Sequence, residues 1–331
     1  MKKVAFVFAI AASLASTSAF AADMALKAPP APPPPSPWDI AITGALMSDY
    51  NFRGITQSAH QPSVQFGLEP RYNFSKSLQG YFGISGESID FPNRAAAEID
   101  FYGGIRPTFD KLALDFGVWY YFYPGGQCFG AAALCTSLGG TGSTAPSLPN
   151  ANVVKQNLSF LEFYGKGTYT VNDNVAFGGQ IWGSPVFRDP GLAGVLDSGA
   201  YGIYYTGNLT LTAPGTWFPS GLGGYASADV GWWQLGTSDA FYGVAGYPAG
   251  IPYKSYLNWD AGVGLTWKIF TLDLRYYQSN LSKGDCNAFT SDQTASGVAS
   301  TAINPGGPGS NWCGAAFIAK LSIATALSAI K

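Results

Sequence analysis

The chain has 331 residues with 18 basic and 20 acidic side chains, a formal charge of −2, which gives no electrostatic case for a nucleic-acid partner. Only 11% of residues are charged, against about 25% in an ordinary soluble domain, while 15% are aromatic and 42 are Gly. That balance argues against a well-hydrated globular surface and for strands and turns over helices; no break in composition across 38–331 divides the chain into two domains.

Residues 1–21 read as a Sec signal peptide: Lys2 and Lys3 precede an apolar run from Val4 to Leu14, and Ala19-Phe20-Ala21 supplies the small-residue cleavage site. The apolar run is shorter than the ~20 residues of a spanning helix. Cleavage after Ala21 leaves 16 basic and 20 acidic residues, a formal −4. Residues 22–37 contain "KAPPAPPPPSP", a polyproline II lead-in on the periplasmic side that cannot join a sheet.

From 38 to 331 the pattern has period two. Val64, Phe66, Leu68, Tyr72 and Phe74 alternate with Gln65, Glu69, Arg71 and Asn73; Leu112 to Phe122 and Leu257 to Tyr276 repeat the arrangement. Twelve strands are predicted, near 38–54, 62–74, 78–90, 97–107, 111–123, 156–170, 174–187, 199–213, 222–236, 254–268, 270–280 and 312–327. Their connectors alternate between tight turns, such as 75–77 and 171–174, and longer Gly-, Pro- and Ser-rich loops, of which 124–155 and 281–311 are the longest. Segregated turns and loops indicate an all-β, antiparallel up-and-down transmembrane barrel with periplasmic turns and extracellular loops. An amphipathic helix is a rival for the last segment, "FIAKLSIATALSAIK", which lacks the terminal aromatic common in outer-membrane barrels.

In lipid the apolar face points outward, and the polar face lines the lumen. By phase the lumen takes Asp49, Arg53, Glu69, Arg71, Glu87, Asp100, Arg106, Asp115, Glu162, Lys166, Asp229, Asp260, Lys268, Asp273, Arg275 and Lys320. Tyr50 and Phe52, at the outer end of the first strand, are assigned to the aromatic girdle. This mixed charge suits a narrow channel for passive diffusion of small polar solutes; the alternative is a plugged structural or surface-interaction barrel in which the charges pair.

The stretch "SDYNFRGITQS" resembles the opening of the TorF-type porins, with Ser48, Asp49, Tyr50, Phe52, Arg53, Gly54, Gln57 and Ser58 matching. That resemblance implies a small bacterial outer-membrane barrel with a transport role. Outer-membrane lipid, the barrel assembly machinery and small solutes are the expected partners, and a monomer the expected state.

Cys128, Cys135, Cys286 and Cys313 lie in or beside the two longest loops, and three pairings are possible. An oxidising compartment favours bridges within each loop, Cys128 to Cys135 and Cys286 to Cys313. No CxxC spacing and a single His, His60, argue against zinc, and no metal or cofactor is expected. His60 lies near Ser58 and Ser63, but without a nucleophile motif it reads as a solvated loop residue rather than part of an enzyme.

Overall fold

The computed structural model describes residues 36–137, 147–184 and 198–329; the expected signal peptide and most of the expected proline-rich lead-in lie outside the described residues. Among the described residues fourteen strands follow one another. They are β1 (Trp38–Met47), β2 (Asn51–Phe52), β3 (Ile55–Thr56), β4 (Ser63–Ser75), β5 (Leu78–Ser88), β6 (Ala97–Phe109), β7 (Leu112–Phe122), β8 (Phe160–Asn172), β9 (Val175–Gly183), β10 (Gly202–Thr212), β11 (Leu222–Leu235), β12 (Tyr256–Trp267), β13 (Phe270–Ser279) and β14 (Ala316–Ala326). All but β2 and β3 join one closed sheet, each strand antiparallel to its sequence neighbours, with β14 returning to pair with β1.

The barrel is inside out relative to a soluble one. Large apolar side chains stand exposed on every strand of the closed sheet, among them Phe66, Phe82, Ile105, Phe116, Phe163, Phe177, Leu209, Val230, Val263, Leu274 and Leu321. Exposed rings crowd both ends of this belt: Trp38, Phe74, Phe109, Trp267 and Phe270 near the tight turns, and Tyr120, Phe122, Phe163, Trp232, Trp259 and Phe317 near the long loops. An apolar belt between two aromatic girdles is the surface a bilayer requires. Alternation follows from the pleat, which sends each intervening side chain inward.

Tight turns and long loops segregate to opposite ends, as the sequence spacing predicts. At two turns a residue other than Gly takes a left-handed backbone: Asp110 has φ 50° and Lys268 has φ 53°. Lys268 is therefore a correction. It sits exposed in the β12–β13 turn over the Trp267 ring, not in the lumen, because the hairpin turns one residue before the predicted phase would carry it inward. The final segment is a strand and not a helix; β14 pairs with both β13 and β1 before a single 3-10 turn at Leu327–Ala329, where Ser328 bonds the Asp39 carboxylate and ties the start of β1 to the end of β14.

The loops at the other end pack together over the barrel mouth. They include two short helices, α1 (Ala132–Ser137) and α2 (Lys283–Thr290). Leu158, Trp233, Ile251, Tyr256, Phe289 and Trp312 are all buried in one cluster that also holds the four cysteines. Cys128 is bonded to Cys135 and Cys286 to Cys313, the within-loop pairing. Polar contacts knit the loops to one another: Asn150 donates to the Asp292 carbonyl at 2.7 Å, Asn152 to Asn287 at 2.8 Å, and Lys155 pairs with Asp239.

Val263 is exposed midway along β12, so Val263→Arg should destabilise the barrel by about 2–4 kcal/mol in denaturant unfolding from lipid vesicles. Unchanged stability would place that face away from lipid.

Candidate functional site

The first strand ends at Met47, not at residue 54, and the chain then turns into the barrel. Asp49 causes the turn. Its buried carboxylate accepts from the Thr56 hydroxyl, from Ser58 Oγ at 3.0 Å and pairs with His60 Nδ1 at 2.8 Å, closing residues 49–60 into a compact loop. Side-chain bonds of this kind compete with the sheet ladder. Within the loop, β2 and β3 form a hairpin whose two turn residues, Arg53 and Gly54, have φ 51° and 80°. Both angles positive is the type I′ geometry, which matches strand twist. Gly54 also fills a tight space: a Cβ there would lie 2.8 Å from that of Asn258 on β12.

The hairpin carries Arg53 at its tip. Its guanidinium makes a two-pronged bond to Glu162 on β8, at 2.9 and 2.7 Å, with the two side chains only 5% and 3% exposed. Phe52, Tyr204 and Trp233 surround it with ring centroids 4.5 to 4.6 Å from the guanidinium carbon, and Tyr256 donates to the Arg53 carbonyl at 2.8 Å. Tyr50 and Phe52 are consequently inside the barrel, the Tyr50 hydroxyl donating to Glu98 at 2.7 Å, rather than in the girdle. Asp49 and Arg53 reach the interior by this inward loop and not by the phase of the first strand.

Below the loop the inward charges gather in three groups. On one wall Arg106 binds Glu69 at 2.6 and 3.0 Å and Asp115 at 3.2 Å, lies 3.6 Å over the Tyr81 ring, and shares Glu69 with Arg71. Tyr81 on β5 donates to Asp115 and meets the Tyr164 hydroxyl on β8, a contact that skips two strands and so passes through the lumen. Lys166 has its ammonium 4.4 and 4.6 Å from the centroids of Tyr164 and Trp182. On the opposite wall Arg275 binds Asp260 at 2.5 Å and Asp273 at 3.0 Å, Tyr225 donates to Asp273 at 2.7 Å, and Thr206 donates to Asp229. A third group, Glu87 and Asp100, is joined by Glu98, which the sequence reading passed over although it stands two residues from Asp100 and so in the same phase. Lys320 donates to Gln65 at 3.3 Å.

The His60 ring has Nδ1 facing Asp49 and Nε2 facing the Asn311 carbonyl, so both nitrogens are taken up by contacts that hold the loop. Its hydrogen bond to Asp49 raises its pKa above the ordinary 6.5.

Removing one partner of a buried ion pair leaves the other charge stranded, so Arg53→Met should cost about 3–5 kcal/mol in unfolding, and Glu162→Gln in the same chain should recover most of it. A single-variant loss no larger than that of a surface Arg would show that the hairpin tip does not hold the loop. For His60 the folded pKa is raised, so its bond to Asp49 stabilises fully below pH 6.5 and is lost as pH climbs through the folded value. The unfolding temperature should fall more between about pH 6 and about pH 8 in the parent than in His60→Gln, and equal slopes would exclude the contact as a source of stability.

No curated protein matches the chain. A family model described as a bacterial protein of unknown function, Gcw_chp, matches residues 31–191, which run from before β1 to beyond β9. Among solved structures the chain is similar to LpxR from Salmonella typhimurium at 11% identity and a TM-score of 0.41, covering 86% of this chain and 99% of that one. A FadL homologue from Pseudomonas aeruginosa shows 13% identity and 0.41 over 87% and 89% of the two chains. An outer-membrane channel from Pseudomonas putida F1 shows 9% identity and 0.41 over 88% and 96%.

Proposed function

We propose that the protein is a porin-like pore of the bacterial outer membrane for small polar solutes, held shut in the state described by its first outer loop. The observation that carries this reading is the gradient of exposure along the lumen. Arg53 and Glu162, at the plug, are 5% and 3% exposed, whereas Arg71, Arg106, Asp115 and Asp260 below it are 26%, 16%, 18% and 20% exposed. Side chains that keep a wet face beneath a dry plug line a vestibule, and mixed charge along such a wall tunes which ions pass. The match of Ser48 to Ser58 with the TorF-type porins supports the same reading.

The remaining assignments go with it. The short turns and both strand termini face the periplasm, a Sec signal peptide exports the chain, the barrel assembly machinery inserts it, and a complete apolar belt suits a monomer surrounded by lipid. The protein is not an enzyme on this reading and needs no cofactor for permeation. A second reading, a plugged structural barrel with an outward interaction surface, is favoured by the dense packing of Trp233, Tyr256, Phe289 and Trp312 above the lumen.

Planar-bilayer recording separates the two. The pore reading expects rare openings in the parent and frequent ones in Arg53→Met with Glu162→Gln, with a reversal potential in a salt gradient that moves toward cations in Arg275→Ala. Silence from every folded variant would sink the pore and leave the plugged barrel.

A further inference from the structure

The wall of β5 and β6 holds three acids that permeation does not require. Glu87 stands directly opposite Glu98 in the antiparallel register, and Asp100, opposite Ser85, follows on the same inward face. Like charges in a cross-strand pair repel. All three are buried, at 4%, 2% and 3% exposure.

The three carboxylates are met by neutral donors: Gln65 Nε2 to Glu87 Oε1 at 2.7 Å, Tyr50 Oη to Glu98 Oε1 at 2.7 Å with the Tyr123 hydroxyl also on Glu98, and Ser85 Oγ to Asp100 Oδ2 at 3.0 Å. Among the described residues none of the three forms an ion pair with Arg, Lys or His; Lys320 donates to Gln65 and reaches Glu87 only through its charge. The second oxygens of Glu87 (Oε2) and Asp100 (Oδ1) are buried and accept no hydrogen bond of good geometry. The Ser85 hydroxyl also interacts with Glu87, and the Trp119 indole N–H with Asp100. Buried carboxylates in this condition require a cation or a proton.

One oxygen from each acid lies within 4.8 Å of the other two. That is inside the about 5 Å that two oxygens on opposite sides of one Ca²⁺ can span at its usual bond lengths. Carboxylates without nitrogen or sulfur donors select a hard ion. We propose that Glu87, Glu98 and Asp100 form a binding site for a divalent cation, calcium by its size and its preference for oxygen. The ion would offset the Glu87–Glu98 repulsion, and through Tyr50 on Glu98 it would anchor the inward loop to the barrel wall. The site stands whether or not the lumen conducts.

The test is equilibrium dialysis of the full chain, folded in detergent and stripped with a chelator, against radioactive Ca²⁺, with folding checked by heat-modifiable gel migration. The expected result is one Ca²⁺ per chain in the parent and an affinity lowered about tenfold or more in Glu98→Gln and Asp100→Asn. Should either variant fail to fold, Glu87→Gln is read in the same dialysis. A parent that binds no Ca²⁺, or folded variants that bind as tightly as the parent, overturns the site; complete displacement by an equal concentration of Mg²⁺ overturns the assignment to calcium.

Discussion

Every backbone N–H and C=O in this sheet faces the same constraint: hydrocarbon offers no hydrogen bond, so a strand in lipid must be paired on both edges. The return of β14 to β1 is the consequence. Closure then dictates which way side chains point. Apolar residues, driven inward in a soluble protein, turn outward here, and polar residues are left to fill a cylinder with limited water. The interior can hold them only if they satisfy one another, which is why Arg106 and Arg275 each take two carboxylates and why the Tyr81, Tyr164 and Tyr225 hydroxyls reach across strands to groups of the same network.

The same constraint made the barrel legible in the sequence. Lipid on one side and a polar lumen on the other impose a strict period of two, so strand number, phase and the alternation of tight turns with long loops could be read from residue type alone. Local rules failed where long-range contacts took over. Asp49 to Gly54 continue the alternation of β1, yet the cap formed by Asp49 and the left-handed pair Arg53-Gly54 bend the chain inward, moving Tyr50 and Phe52 from the expected girdle to the core. The Arg-Gly turn was a readable hairpin signal, hidden by the stronger pattern around it. Glu98 could also have been found, being in phase with Asp100. The loop cluster could not, because contacts such as Asn152 to Asn287 or Lys155 to Asp239 leave no periodic trace.

The mouth of the barrel is organised by a different physics from its wall. Above the belt, the loops bury Trp233, Tyr256, Phe289 and Trp312 much as a small soluble domain would, with a disulfide in or beside each long loop. Arg53 joins the two regimes. Its guanidinium belongs to the charged network of the lumen through Glu162, while its flanking rings belong to the apolar cluster above.

The inward loop runs from the end of β1 to the start of β4, two strands that are hydrogen-bonded neighbours in the barrel. The loop is therefore spliced into the wall at both of its own ends. Such a double tether fixes one inward loop per barrel by synthesis, with no assembly equilibrium to satisfy. It also keeps Arg53 near Glu162 at a high effective concentration, in the millimolar range typical of short linkers. Were the loop displaced, it would remain within its own length of Glu162, and its return would be a first-order event, set by chain relaxation and independent of how many barrels the membrane holds.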